Sequence, residues 1–197
     1  MEPSQFPLFR SHLQLAHLFW SLFLKKGAIV VDATCGNGHD SLTLARLCLG
    51  PSLGRLYCID IQKKAIEQTQ ALLQLNLEES LFQNVTFFHA SHAPLPVCIK
   101  GADLVVYNLG YLPGGNNKDF TTIDTTTIES IQDSLKILKP GGLVSIMCYP
   151  GHPAGNQEET SLIKFCETLP PQDFFICHHK SLNRKKAPNL ILISKKK

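Results

Sequence analysis

The sequence predicts an α/β protein built on a doubly wound, mostly parallel seven-stranded sheet whose last strand runs antiparallel. Short β-branched runs alternate with helical stretches nearly to the end of the chain, a pattern that calls for right-handed crossovers between parallel strands. The last two runs, residues 174–178 and 190–194, have no clear helical stretch between them and so close as a hairpin. The strand bodies are apolar, yet nearly all of them end on a residue able to hydrogen bond.

Each element has its own signal. Residues 9–24 carry apolar side chains at helical spacing (Leu13, Ala16, Leu18, Trp20, Leu24) and stop near Gly27. Residues 28–32 are a compact apolar run ending on Asp32, as in a strand buried on both faces. A glycine-containing turn leads into a helix over 39–48, then a strand over 55–60 and a helix over 62–77 with Ala65, Ile66, Leu73 and Leu77 inward. Strands follow over 85–89 and 103–108. A helix over 123–138 closes at Lys139-Pro140-Gly141-Gly142, a strong stop signal. A strand over 143–149 and a helix over about 156–168 precede the closing hairpin.

With 197 residues, 44% of them hydrophobic and 18% charged, the chain has the balance of one folded domain over residues 1–197, residues 1–27 forming a helical segment that packs on it. A chain of this length buries roughly 70% of its unfolded surface and needs no staples. Disorder, collagen and coiled coil are excluded. The longest apolar stretch, residues 13–24, falls short of the ~20 residues of a membrane span. It is also a poor signal peptide: no basic cluster precedes it, and Lys25 and Lys26 follow where small residues belong. Seven cysteines without a CxxC pair read as reduced core thiols of a cytoplasmic protein. His178 and His179 lack the spaced partners of a metal site. The net charge of +3 is mild, but seven of nineteen cations lie in the last eighteen residues (Lys180, Arg184, Lys185, Lys186, Lys195, Lys196, Lys197) and suit contact with phosphates.

Ligands of open α/β sheets bind beyond the carboxyl ends of the strands, where strand order reverses. There the chain reads Asp32-Ala33-Thr34-Cys35-Gly36-Asn37-Gly38-His39-Asp40. Gly36 and Gly38 let the backbone turn sharply and approach a ligand, and the next helix offers free N–H groups. Asp60 closes the second strand, placed to accept hydrogen bonds from a ribose diol. A dinucleotide normally demands GxGxxG, and the third glycine is Ser41 here. S-adenosylmethionine has a ribose and a charged amino-acid end without phosphate, and Asp32 beside the turn suits it better. Cys35 has no identifiable base beside it and fills the tight turn.

The fourth strand ends Asn108-Leu109-Gly110-Tyr111-Leu112-Pro113-Gly114-Gly115, which resembles the Asn-Pro-Pro-Tyr loop of amino-group methyltransferases. That likeness implies that Asn108 accepts hydrogen bonds from a target amine while Tyr111 stacks on the base. With this loop and the motifs DATCGNGHD, NLGYLPGG, TTxxTT and YxGHxxGxxE, residues 11–195 resemble a family of small bacterial and plastid proteins long labelled rRNA methylases and now understood as tRNA 5-aminomethyl-2-thiouridine methyltransferases. Pro150 and the extended connection over 47–54 depart from the family pattern, whereas Thr34 belongs to it. The resemblance implies a Rossmann-like, class I methyltransferase fold, S-adenosyl-L-methionine as donor, and methylation of the aminomethyl nitrogen on a wobble uridine in the tRNA anticodon region. Carried over by position, it implies that Asn37 and His39 contact the methionine end, Asp60 and Gln62 the ribose, and Ser91 with His92 the adenine.

Such a transfer needs proximity, alignment and an uncharged amine, but no metal. Asp119, Asp124, Tyr149 and His152 are candidate proton acceptors. Thr121 and Thr122 suit capping of the following helix. RNA recognition falls to the catalytic face and the cationic C-terminus, with a homodimer as one way to extend that surface. Rival readings are an rRNA or small-metabolite methyltransferase and a non-catalytic nucleotide- or RNA-binding module of the same fold. The second would show decay of the polar strand ends, which this chain retains.

Overall fold

The computed structural model describes residues 11–109, 123–184 and 186–197. The elements run α1 (His12–Phe23), β1 (Ile29–Asp32), α2 (His39–Cys48), β2 (Arg55–Asp60), α3 (Lys63–Asn76), α4 (Glu79–Phe82), β3 (Val85–His89), β4 (Ala102–Asn108), α5 (Ile123–Ile137), β5 (Leu138–Cys148), α6 (Pro153–Thr168), β6 (Phe174–His179) and β7 (Asn189–Lys195). They form one seven-stranded sheet in the order β3-β2-β1-β4-β5-β7-β6, parallel except for β7, which runs antiparallel to both of its neighbours. This is the doubly wound sheet that the sequence pattern predicts, with the reversed last strand.

Strand residues alternate between two cores because successive side chains point to opposite faces. Val30, Leu56 and Leu104 pack with Trp20, Leu44 and Leu73 of the α1, α2 and α3 layer. Val31, Val105 and Ile146 pack with Ile131, Leu135 and Leu162 of the α5 and α6 layer. The first helix is fixed at both ends. Ser11 and Gln14 form a reciprocal capping box, and the Trp20 Nε1–H donates to the Ser145 Oγ of β5 at 2.9 Å in the interior. All seven cysteines are free. Among the described residues no helix is long and apolar enough to cross a membrane.

The starts of β5 and α6 differ from the sequence reading by several residues, each for a local reason, and the short helix α4 has no counterpart in it. Strand β5 begins at Leu138 rather than Leu143 because Ala102 already pairs with Leu138, and a bulge then shifts the register before Leu104 meets Leu143. Gly141, at φ +77°, makes that bulge possible, so Pro-Gly-Gly ends the helix and kinks the strand in one stroke. Helix α6 begins at Pro153 rather than near residue 156. His152 is its N-cap, its ring Nδ1 accepting from the Gly155 N–H at 3.1 Å. A Cβ at Gly155 would lie 2.1 Å from the Tyr149 carbonyl oxygen. The Tyr-x-Gly-His-x-x-Gly spacing therefore builds the sharp turn that carries Tyr149 off the sheet.

Candidate active site

In this strand order the chain leaves β1 toward β2 on one side, and β4 begins the other half, so the reversal falls between β1 and β4. Their tips are tied together. The Ala33 N–H donates to the Val106 carbonyl at 2.9 Å, and the Asn108 N–H donates to Thr34 Oγ1 at 2.7 Å. The turn between them is anchored below by Thr69 of α3, whose hydroxyl donates to the Gly36 carbonyl at 3.0 Å. Gly36 sits at φ +52° and Gly38 at φ +81°. A Cβ on Gly38 would lie 2.8 Å from Thr69 Cα, whereas one on Gly36 would meet nothing closer than 3.9 Å. Gly38 is therefore small for packing, and Gly36 leaves open space above the turn.

Helix α2 starts on Gly38 with no side-chain cap, so its first N–H groups remain available to a carboxylate. Asn37 and His39 are exposed at this rim. Beside the turn, Asp60 is nearly buried, and its two oxygens accept separate backbone bonds: Oδ2 from Gly36 N–H at 3.0 Å and Oδ1 from Gln62 N–H at 2.8 Å. Both oxygens retain lone pairs, and the two N–H bonds hold the carboxylate in one orientation. Ile61, the next residue, is 70% exposed, an apolar surface beside that carboxylate.

The predicted adenine pair lies just after β3. Ser91 accepts from the Ala93 N–H at 3.1 Å. The His92 ring meets the Tyr107 ring edge-on at 5.9 Å, and its Nδ1 is buried without a hydrogen-bond partner. Burial lowers the His92 pKa, with Asp60 opposing, so the ring is neutral at neutral pH. A carboxylate with free lone pairs, an apolar ledge, an unmet ring nitrogen and free helix N–H groups fit the chemistry of S-adenosylmethionine.

Asp32 behaves differently from its sequence reading. It is 1% exposed, its Oδ2 accepting from Ser41 Oγ at 2.6 Å and its Oδ1 from Thr34 N–H at 3.3 Å. It organises the turn from beneath instead of facing the cleft. Cys35 is buried as well, which pushes its thiol up to about 12, as suits a filler of the turn.

On the other side of the cleft, Asn108 ends β4 and Tyr149 follows the end of β5, the neighbouring strand. Burial, with Asp40 nearby, raises the Tyr149 phenol above its ordinary value. The sequence reading missed two partners. Asn108 Nδ2 donates to Asp40 Oδ2 at 3.2 Å, and Asp40 Oδ1 meets the His17 Nε2 of α1 at 2.7 Å. Asp40 could be suspected from its place in the Gly-turn motif; His17, on a separate helix, carries no local signal. Tyr111, Asp119, Thr121 and Thr122 lie outside the described residues, and so do the side chains of Asp124 and Thr125.

The C-terminal cations divide into two groups. Cys148 pairs with Asn189 and His179 with Leu190, so residues 180–184 and 186–188 lie at the end of the sheet that carries Tyr149, with Lys180, Arg184 and Lys186 exposed there. Lys195 pairs with Phe174 at the opposite edge, and its Nζ caps the end of α5 through the Leu135 and Leu138 carbonyls at 2.9 and 3.0 Å.

Comparison with known proteins agrees with this geometry. The family described as "Putative rRNA methylase" matches residues 56–195. A curated Arabidopsis thaliana protein, "tRNA (mnm(5)s(2)U34)-methyltransferase, chloroplastic", is 38% identical over 189 residues, spanning 93% of this chain and 69% of that protein. A crystal structure of a "putative rRNA-methylase" from Clostridium thermocellum superposes with a TM-score of 0.85 at 33% identity, covering 95% of this chain and 98% of the other. A "putative methyltransferase" from Streptococcus mutans in complex with SAH superposes at 0.79 with 29% identity, covering 95% and 99%.

Proposed function

The chain belongs to the rRNA methylase family, and from that membership and the cleft at its strand tips we propose that it is an S-adenosylmethionine-dependent N-methyltransferase acting on the aminomethyl nitrogen of a modified wobble uridine in tRNA. The observation that carries the substrate is the likeness, along nearly the whole chain, to the Arabidopsis tRNA methyltransferase. The free thiols fit a cytoplasmic setting.

When bound, S-adenosylmethionine supplies a methyl carbon on a positively charged sulfur, open to in-line attack by a neutral amine. Asp60 receives the ribose hydroxyls on its remaining lone pairs, with Gln62 at the rim of the same site. The first N–H groups of α2, with Asn37 and His39 beside them, hold the amino-acid end. Ser91 and His92 face the adenine. On the substrate side, Asn108 accepts from the amine through its amide oxygen and aims the nitrogen lone pair; Tyr111 stacks on the base. Tyr149, its phenol held protonated by burial, lines the site beside Asn108 and is no phenolate base at neutral pH. His152 shapes the turn that delivers Tyr149. Orientation of this kind contributes about 7–11 kcal/mol in favourable cases. Lys180, Arg184 and Lys186 hold the RNA backbone beside the site.

The test is nucleoside mass spectrometry after incubating protein and methyl donor with tRNA that carries the unmethylated aminomethyl group, and separately with rRNA. Methyl gain on the tRNA wobble nucleoside alone is the expected result. Gain on rRNA, or on neither, overturns the proposal.

A further inference from the structure

The Asn108 amide nitrogen donates to the Asp40 carboxylate at 3.2 Å. A carboxylate has no hydrogen to donate, so it selects the NH2 half of the amide and turns the carbonyl half away from itself. The other oxygen of Asp40 is occupied by His17 Nε2 at 2.7 Å, with the His17 side chain 30% exposed and that of Asp40 12% exposed. His17 is in turn held by its helix: its ring lies 4.8 Å from that of Trp20, which is bonded to Ser145 in the core. Four elements thus converge on one amide. We propose that His17 and Asp40 are positioning residues for methyl transfer: His17 fixes Asp40, and Asp40 fixes the Asn108 amide with its oxygen toward the substrate amine.

This inference rests on the methyltransferase reading for its chemistry, and on the two hydrogen bonds for its geometry. The role requires position 40 to accept from Asn108 and to hydrogen-bond position 17, not a charge at either. Asp40→Ala is therefore expected to lower kcat roughly tenfold or more while KM for the methyl donor changes little, since small misplacements of reacting groups are costly. Asp40→Asn, whose amide oxygen can still accept from Asn108 while its NH2 donates to His17 Nε2 in the other ring tautomer, retains most of the activity. His17→Gln, which can still donate, outperforms His17→Leu. Thermal unfolding of each variant identifies any that has lost its fold.

A second readout needs no turnover. In protein labelled with 15N-asparagine, the Asn108 side-chain amide, identified by its loss in Asn108→Ala, exchanges with solvent more slowly in the parent than in Asp40→Ala. Parental turnover by a folded Asp40→Ala, an Asp40→Asn as inactive as Asp40→Ala, or unchanged amide exchange overturns the positioning role. A parent that methylates no tRNA overturns the proposed function instead, and the amide readout still decides whether Asp40 holds Asn108.

Discussion

Asp32 and Asp40 flank the same glycine turn, and the fold uses them in opposite ways. Asp40 stays at the cleft, bonded to Asn108 and His17, while Asp32 is enclosed beneath it. Burial pushes the Asp32 carboxyl up to about 7, with Asp40 and Asp60 adding to the rise and the Ser41 and Thr34 bonds opposing it. The folded state therefore keeps a proton that the unfolded chain releases near its ordinary value of 3.8. Stability from this group is complete below about pH 4 and falls as pH rises toward 7. Urea unfolding of Asp32→Asn and the parent across pH 5–8 is expected to show the variant gaining on the parent as pH rises. A pH-independent difference would remove Asp32 as the source. That Asp60 ends β2 was legible in the sequence, because an apolar run stops there on a carboxylate. The enclosure of Asp32 was not, since it depends on Ser41 coming round the first turn of α2. His17 was still less accessible, because only tertiary packing brings α1 to the turn.

Among the elements, those with period-2 or helical patterning and clean punctuation were readable to the residue, as with α2, β2 and β3. The misread ends lie where glycine and proline serve two elements at once. At residues 139–142 the helix stop is also a bulge in β5, and at Gly155 the first turn of α6 is also the seat of Tyr149. The antiparallel closing strand decides where the terminal cations fall. Composition alone counts seven terminal cations as one group, whereas the hairpin places Lys180, Arg184 and Lys186 at the end of the sheet that carries Tyr149 and Lys195 at the other. Replacing Lys180, Arg184 and Lys186 with serine is expected to weaken tRNA binding and flatten its salt dependence by about one unit of slope for each phosphate no longer neutralised. Replacing Lys196 and Lys197 is expected to leave the slope unchanged. Equal effects from the two sets would contradict the division.

For the molecule as a whole, the cleft is a consequence of topology. Two half-sheets diverging from β1 and β4 leave their loops apart at one point, and the polar strand ends gather there. One half supplies the turn and Asp60, the other Asn108 and Tyr149, so the proposed roles in donor binding and substrate alignment are separable. Fold and cleft follow from the alternation of elements, which is why they were visible in the sequence; the contacts across the cleft follow from packing, which is why they were not. Calorimetric titration of S-adenosylmethionine into the parent, Asp60→Ala and Asn108→Ala tests this division most directly. The parent and Asn108→Ala are expected to bind alike, and Asp60→Ala about tenfold or more weaker, since it gives up hydrogen bonds to a charged acceptor. Parental affinity in a cooperatively folding Asp60→Ala would contradict the account.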